Sequence, residues 1–119
     1  MQLDPQDVGR LRDVVTYGEK VQAMLGGLSQ QEFLADTKTF FAVCYGIQVV
    51  GEAAWKLSDG MKKAHTTIPW PLISGMRHRL VHDYGRTDEN VVYQVATVHL
   101  PKLIEQVRAI LAQGGPTTP

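Results

Sequence analysis

The residues best suited to chemistry fall in one run, Arg77-His78-Arg79-Leu80-Val81-His82-Asp83-Tyr84. Two guanidinium groups, two imidazoles and a phenol lie within eight residues. An imidazole titrates at about pH 6.5 and so takes or gives a proton near neutrality. Arginine stays protonated and presents a fork of donors that matches phosphate oxygens. In RNA cleavage the 2′-OH attacks the adjacent phosphorus and negative charge builds on the equatorial oxygens. A guanidinium aimed there stabilises the transition state more than the ground state. The set suits phosphodiester chemistry.

The spacing limits how these groups can meet. On an ideal helix Arg77 and His82 are about 140° apart, so they do not share a face. His78 and His82 do, at four residues, and so do Arg77 and Tyr84, at seven. One helix therefore offers a wide arc. Two copies of it meeting across a two-fold axis could pool their groups in one cleft, which is the arrangement favoured here. Two plainer readings stand beside this one. Cations at a helix end favour the C-terminal dipole, and Tyr84 could simply close the bundle as a half-buried aromatic. His78 and His82 also have the spacing of a metal pair. The intervening Arg-Leu-Val, the neighbouring arginines and the lack of a third ligand speak against a cation, and no metal or cofactor is expected.

The elements that must hold this run are all helical. Leu11, Val14, Val21, Met24 and Leu28 form a stripe, started by Asp4-Pro5 and stopped by Gly26-Gly27. Ser29 and Glu32 have capping-box spacing. The most apolar helix is expected over about residues 36–57, with Phe40, Cys44, Ile47, Gly51 and Ala54 on its stripe. Gly46 and Gly51 would let neighbouring helices approach closely. A short piece at 61–65 precedes Ile68-Pro69-Trp70-Pro71, and a helix over 71–84 follows, stopped by Gly85. Asp88 caps the last helix, where Val92, Val95, Ala96, His99, Leu103, Val107 and Ile110 line up and Pro101 should introduce a kink. The expected fold is all-α, an antiparallel bundle of four or five helices over residues 1–113, with a flexible tail at 114–119.

Composition narrows the function. The 119 residues carry 12 Lys and Arg against 12 Asp and Glu, so bulk positive charge does not draw this chain to nucleic acid. The distribution is uneven. Residues 1–36 hold three basic and six acidic groups, whereas residues 56–86 hold six basic and two acidic groups plus three histidines. A polyanion would be drawn to the second region. With 44% hydrophobic residues a packed core is expected, and a lone cysteine excludes a disulfide framework and a CxxC zinc site. The first ten residues lack the apolar stretch of a signal peptide and no run is long enough to span a bilayer, so a cytoplasmic protein with no membrane partner is expected.

Arg-x4-His-x-Tyr, present as Arg77, His82 and Tyr84, resembles the signature of the HepT-like toxins of the HEPN superfamily. The surrounding Ile-Pro-Trp and Gly-Met-Arg-His-Arg-Leu-Val-His-Asp-Tyr over residues 68–84 resembles that family closely. So do Gly51-Glu52-Ala53-Ala54 and the Leu-Pro-x-Leu-Ile pattern at 100–104. The resemblance covers nearly the whole chain. It implies a helical homodimer, the toxin of a type II toxin–antitoxin system, acting as a metal-independent endoribonuclease at a composite dimer-interface site. Arg77 and His82 would form the active cleft, with His78 in a usually polar slot where Asn is commoner. It also implies a partner, a minimal nucleotidyltransferase antitoxin, that in some systems transfers AMP to the motif tyrosine, here Tyr84. Nucleotide added there would block RNA by bulk and by charge, and a higher complex with the antitoxin is compatible with it. A rival reading makes the chain a non-catalytic binding subunit or modification substrate of that nucleotidyltransferase, and a third a helical dimerisation module.

Other residues have lesser expectations. Glu52 either faces the cleft and orients Arg77 or lies on a polar face. Arg79 and Arg86, with Lys62 and Lys63, are either RNA-phosphate contacts or surface charges. Trp55 and Trp70 are expected in packing. Cys44 is expected to be an inert core thiol, His65 a loop residue and His99 a hydrogen-bonded packing residue.

Overall fold

Each helix starts where the local chemistry allows it. In α1 (Pro5–Leu25), Pro5 occupies the first turn and the Asp4 carboxylate accepts from the Gln6 N–H at 2.7 Å. Gly26, at φ 57°, closes the helix in the left-handed region and donates its N–H to the Gln22 carbonyl. The buried face carries Val8, Leu11, Val14, Val21 and Leu25. Met24, expected in the core, is instead 40% exposed. Leu25, one residue on and so rotated by about 100°, takes the core position.

The Ser29–Glu32 capping box is formed on both sides and opens α2 (Gln30–Ala35). Its single buried residue, Phe33, meets Phe40 and Tyr93 at ring-centroid distances of 5.7 and 5.5 Å. The Tyr93 hydroxyl donates to the Leu28 carbonyl at 2.8 Å, so this aromatic cluster also satisfies its polar end.

The central helix α3 (Thr37–Trp55) is capped by Asp36, which accepts from the Thr39 N–H and hydroxyl. It packs against α1 on one side and α5 on the other. Val43, Ile47, Val50, Ala53 and Ala54 are buried there. A buried aliphatic side chain contributes about 1.5–3 kcal/mol relative to exposure, so this helix anchors the core.

After α3, Ser58 caps α4 (Asp59–Ala64) and is itself held by Asp7, a carboxylate only 5% exposed. Asp7 accepts from the Ser58 N–H at 2.9 Å and hydroxyl at 2.6 Å, tying α1 to the end of α3. Trp70 is buried and donates its indole N–H to the His65 carbonyl at 3.1 Å, which sets the start of α5 (Trp70–His82).

Asp88 accepts from the Asn90 N–H and opens α6 (Glu89–Gln94), which continues through a π-helical turn at Val95–His99 into α7 (Leu100–Gly114). The expected effect of Pro101 takes this form. Pro101 has no N–H for the carbonyl four residues back. The ladder widens just before it, and the Leu100 N–H reaches the Val95 carbonyl five residues back. On α7, Leu100, Leu103, Ile104, Val107 and Ile110 are buried. Ile104 lies against Gly18 of α1, and an exposed Arg108–Glu19 pair at 2.6 Å joins the same two helices. His99, expected in packing, is exposed. The Leu3 N–H donates to the Gly114 carbonyl at 2.9 Å, placing Gly114 with the bundle rather than with a tail.

This computed structural model describes residues 3–82 and 88–114, with the backbone alone at 80–82. Within them the protein is an all-α bundle, with four principal helical rods (α1, α3, α5 and the α6–π–α7 rod) and two short helices. Among the described residues no helix is long and apolar enough to cross a membrane.

Candidate functional site

Arg77 is positioned by α5's close approach to α3. Its Cβ and Cα face Gly51, where a methyl group would come within 2.5 Å of the Arg77 Cβ and 3.1 Å of the Ile73 carbonyl oxygen. The missing Cβ at Gly51 is therefore what admits α5 at this depth. Gly51 was expected to permit such an approach; that it admits the catalytic-candidate arginine itself is a tertiary fact.

Beyond this contact the guanidinium extends over Trp55, with its carbon 5.5 Å from the ring centroid. This is cation–π distance. The Arg77 Nε is buried and has no hydrogen-bond partner among the described residues. A buried donor left unpaired costs about 1–3 kcal/mol. His78 and Arg79 follow on exposed positions of α5. They point in different directions. Arg79 lines a cavity of about 410 Å³ between α3, α5 and the α6–α7 rod, whose walls include Ile47, Leu72, Met76 and Leu103.

His82 is the last residue of α5, and its side chain lies outside the described residues. So do Tyr84 and Arg86. Structure thus brings together Arg77, Gly51 and Trp55, with His78 one residue along the helix.

Glu52 is half-exposed on α3. Its carboxylate pairs with Lys56 at 3.3 Å, one turn along α3. Such an exposed pair is worth little to stability, about 0.3–0.5 kcal/mol. Contact with the Arg77 guanidinium comes from Trp55 instead. Trp55 also departs from expectation: it is 57% exposed, whereas Trp70 is packed as expected. The sequence held a signal for this. Phe41, Tyr45, Glu52 and Trp55 recur at helical spacing on one face of α3, apart from the apolar stripe, and Phe41 and Tyr45 are 66% and 64% exposed.

The C-terminal end of α3 is electropositive. Lys56 is its C-cap, and the Lys62 ammonium donates to the Trp55 carbonyl at 2.9 Å, where the helix dipole is negative. About three turns back along α3, burial pushes the Cys44 thiol up to about 11, with the Glu89 carboxylate adding to the effect. That thiol is half-buried and protonated at neutral pH, an inert group as expected. Among the described residues no three His, Cys, Asp or Glu side chains converge as metal ligands.

A protein from Thermococcus cleftensis named "Probable ribonuclease HepT" is 30% identical over 93 residues, covering 78% of this chain and 84% of that one. A "Putative RNase" of Caldanaerobacter subterraneus subsp. tengcongensis is 29% identical over 85 residues, covering 71% and 76%. A "Putative RNase" of Methanocaldococcus jannaschii is 25% identical over 101 residues, covering 85% and 87%. No solved structure matches. The family model described as "Ribonuclease HepT-like" matches residues 14–110, and the chain belongs to that family.

Proposed function

We propose that this chain is an endoribonuclease acting as the toxin of a toxin–antitoxin pair, with a cleft built by two copies of the chain. The observation that carries the reading is Arg77: seated on Gly51, stacked on Trp55, and holding a buried Nε that no group among the described residues satisfies. A phosphate is the kind of group a guanidinium so placed would meet.

The chemistry uses the chain's own side chains. One imidazole, assigned to His82, takes the proton of the ribose 2′-OH as the 2′-oxygen bonds to phosphorus. The P–O5′ bond breaks, and the departing 5′-oxygen takes a proton from a second imidazole, the partner copy's equivalent group in a two-fold cleft. Arg77 stabilises the charge on the equatorial oxygens. His78 supports the proton transfer, and Arg79 and Arg86 hold flanking phosphates. No step in this scheme calls for a metal ion.

Two features support a second copy. Phe41 and Tyr45 expose large aromatic surface on α3, whereas Phe33 and Trp70 are buried. Gly75 sits inside α5 with nothing within 4 Å of where its Cβ would stand. A mid-helix glycine costs about 1 kcal/mol relative to alanine, and here no approach among the described residues accounts for it. Gly75, His78 and His82 lie three and four residues apart on one face of α5. A two-fold contact along that face would bring both sets of imidazoles to one cleft. Tyr84 is the acceptor through which a minimal nucleotidyltransferase antitoxin adds AMP and shuts the cleft.

The test is cleavage of RNA by purified protein in chelator, with Arg77→Ala and His82→Ala alongside. A fall of about 10²–10⁴-fold in each variant at unchanged thermal stability is expected. Wild-type cleavage by both variants would remove the site. Loss of wild-type cleavage in chelator would point to a metal enzyme. Intact mass after incubation with the nucleotidyltransferase and ATP tests Tyr84.

A further inference from the structure

The two tryptophans of this chain have opposite fates. Trp70 is 3% exposed and its indole N–H is satisfied by a carbonyl, whereas Trp55 keeps 57% of its surface in water. Trp55 ends a helix whose other side is buried in the core, so its exposure is a matter of which face it was placed on. One contact of the indole is known, the Arg77 guanidinium at 5.5 Å. Lys56 follows it in sequence, the Lys62 ammonium sits on its carbonyl, and His78 is on the neighbouring helix. The Glu52 carboxylate on the same helix is paired with Lys56.

An exposed indole lying under an arginine guanidinium, with lysines at the same helix end, has the composition of a single-strand binding surface, in which aromatic faces stack bases and cations track the backbone. We infer that Trp55 is a stacking platform for an unpaired nucleobase next to the scissile phosphate, and a positioning residue that holds the Arg77 guanidinium in place. The inference rests on the endoribonuclease reading and names its substrate class, single-stranded RNA. A duplex keeps its bases stacked on one another and reads out to proteins by shape and backbone, so it cannot use the platform.

The two roles separate in kinetics. Stacking acts on binding and appears in KM, whereas orientation of Arg77 acts on the transition state and appears in kcat. Trp55→Leu keeps apolar bulk and removes the π-face. It should raise KM for single-stranded RNA about 5- to 150-fold and also lower kcat. Trp55→Phe keeps a smaller ring and should recover part of both. Because the side chain is exposed, both variants should unfold at the wild-type temperature.

The direct test is tryptophan fluorescence of the wild-type protein titrated with 2′-deoxy oligonucleotides, which lack the attacking hydroxyl. A single strand, the same strand fully base-paired, and an abasic strand of equal charge are compared. Quenching by the single strand, weak response to the other two, and loss of the response in Trp55→Leu are expected, since Trp70 is shielded. Equal quenching by the abasic strand would mean that phosphates alone are bound, and would overturn the platform. So would an emission change on dilution that oligonucleotide does not produce, which would place Trp55 under a second copy. If wild type cleaves RNA and Trp55→Leu matches it in KM and kcat, the platform falls and the ribonuclease stands. If the single strand quenches but wild type cleaves nothing, the ribonuclease reading falls alone.

Discussion

Gly46 and Gly51 are five residues apart on α3, about 140° around the helix, and each admits a different neighbour. At Gly46 the intruder is Val21 of α1, an aliphatic side chain in the core. At Gly51 it is the backbone and Cβ of Arg77. The first contact ends in packing. The second ends in a guanidinium with an unpartnered buried Nε and an exposed tryptophan, features that a stability argument alone does not explain. The same device, a glycine in a helix, thus serves the core on one side of α3 and the candidate site on the other.

This contrast can be broken by substitution. Gly51→Ala must displace Arg77 or the Ile73 carbonyl, and neither is the free end of a flexible side chain. A shift of about 1 Å in a positioned group costs on the order of 10²-fold in rate, so RNA cleavage per folded molecule should fall by that amount. If cleavage survives unchanged, the seat of Arg77 is not what sets its geometry.

Cys44 lies seven residues before Gly51 on nearly the same face of α3, since seven residues fall about 20° short of two full turns. Its raised value, about 11 against an ordinary 9.0, leaves the native thiolate roughly 100-fold scarcer below pH 9 than in the unfolded chain. Alkylation by iodoacetamide at pH 8 should be slower by that factor in native protein than in urea. Equal rates in the two would mean that burial does not hold this thiol protonated.

Gly46→Ala is expected to overpack the α1–α3 contact and cost about 1–3 kcal/mol, read as a lower unfolding midpoint in urea. Cleavage by the fraction that remains folded should be unaffected, in contrast to Gly51→Ala.

The smallest effect is at the start of α3. Hydrogen bonds from the Thr39 N–H, then its hydroxyl, hold the Asp36 carboxyl below its ordinary 3.8. A carboxyl lowered by folding stabilises the protein above its unfolded value, and that contribution is lost as pH falls through the folded one. Thermal stability of wild type should therefore decline below about pH 4, and Asp36→Asn should flatten that decline slightly while being a little less stable at pH 7. Cleavage at neutral pH should not change, because this end of α3 lies away from Arg77.

Much of the bundle was legible because its signals are local. Asp4-Pro5, Gly26, the Ser29–Glu32 box and Asp88 act within a turn of their own residues, and each does so in the structure. The stripes of α3 and α7 were legible by period. Met24 and His99 were misplaced because they lie at the margins of their stripes, where a small rotation of the helix exchanges core for solvent. Pro101 was legible as a disturbance, but its form as a π-helical turn depends on how the surrounding rod packs.

The chemistry divides the same way. Residue types and spacing alone determined that Arg77, His78 and His82 could act on a phosphodiester, and the whole-chain resemblance determined the family. Only the tertiary structure decided that Gly51 would seat Arg77, that Trp55 would leave the core to lie under its guanidinium, and that Glu52 would turn to Lys56. Those are contacts between α3 and α5 or choices among helix faces, set by how two helices cross. A linear pattern with a period of 3.6 residues says which positions share a face, but not which neighbour that face will meet.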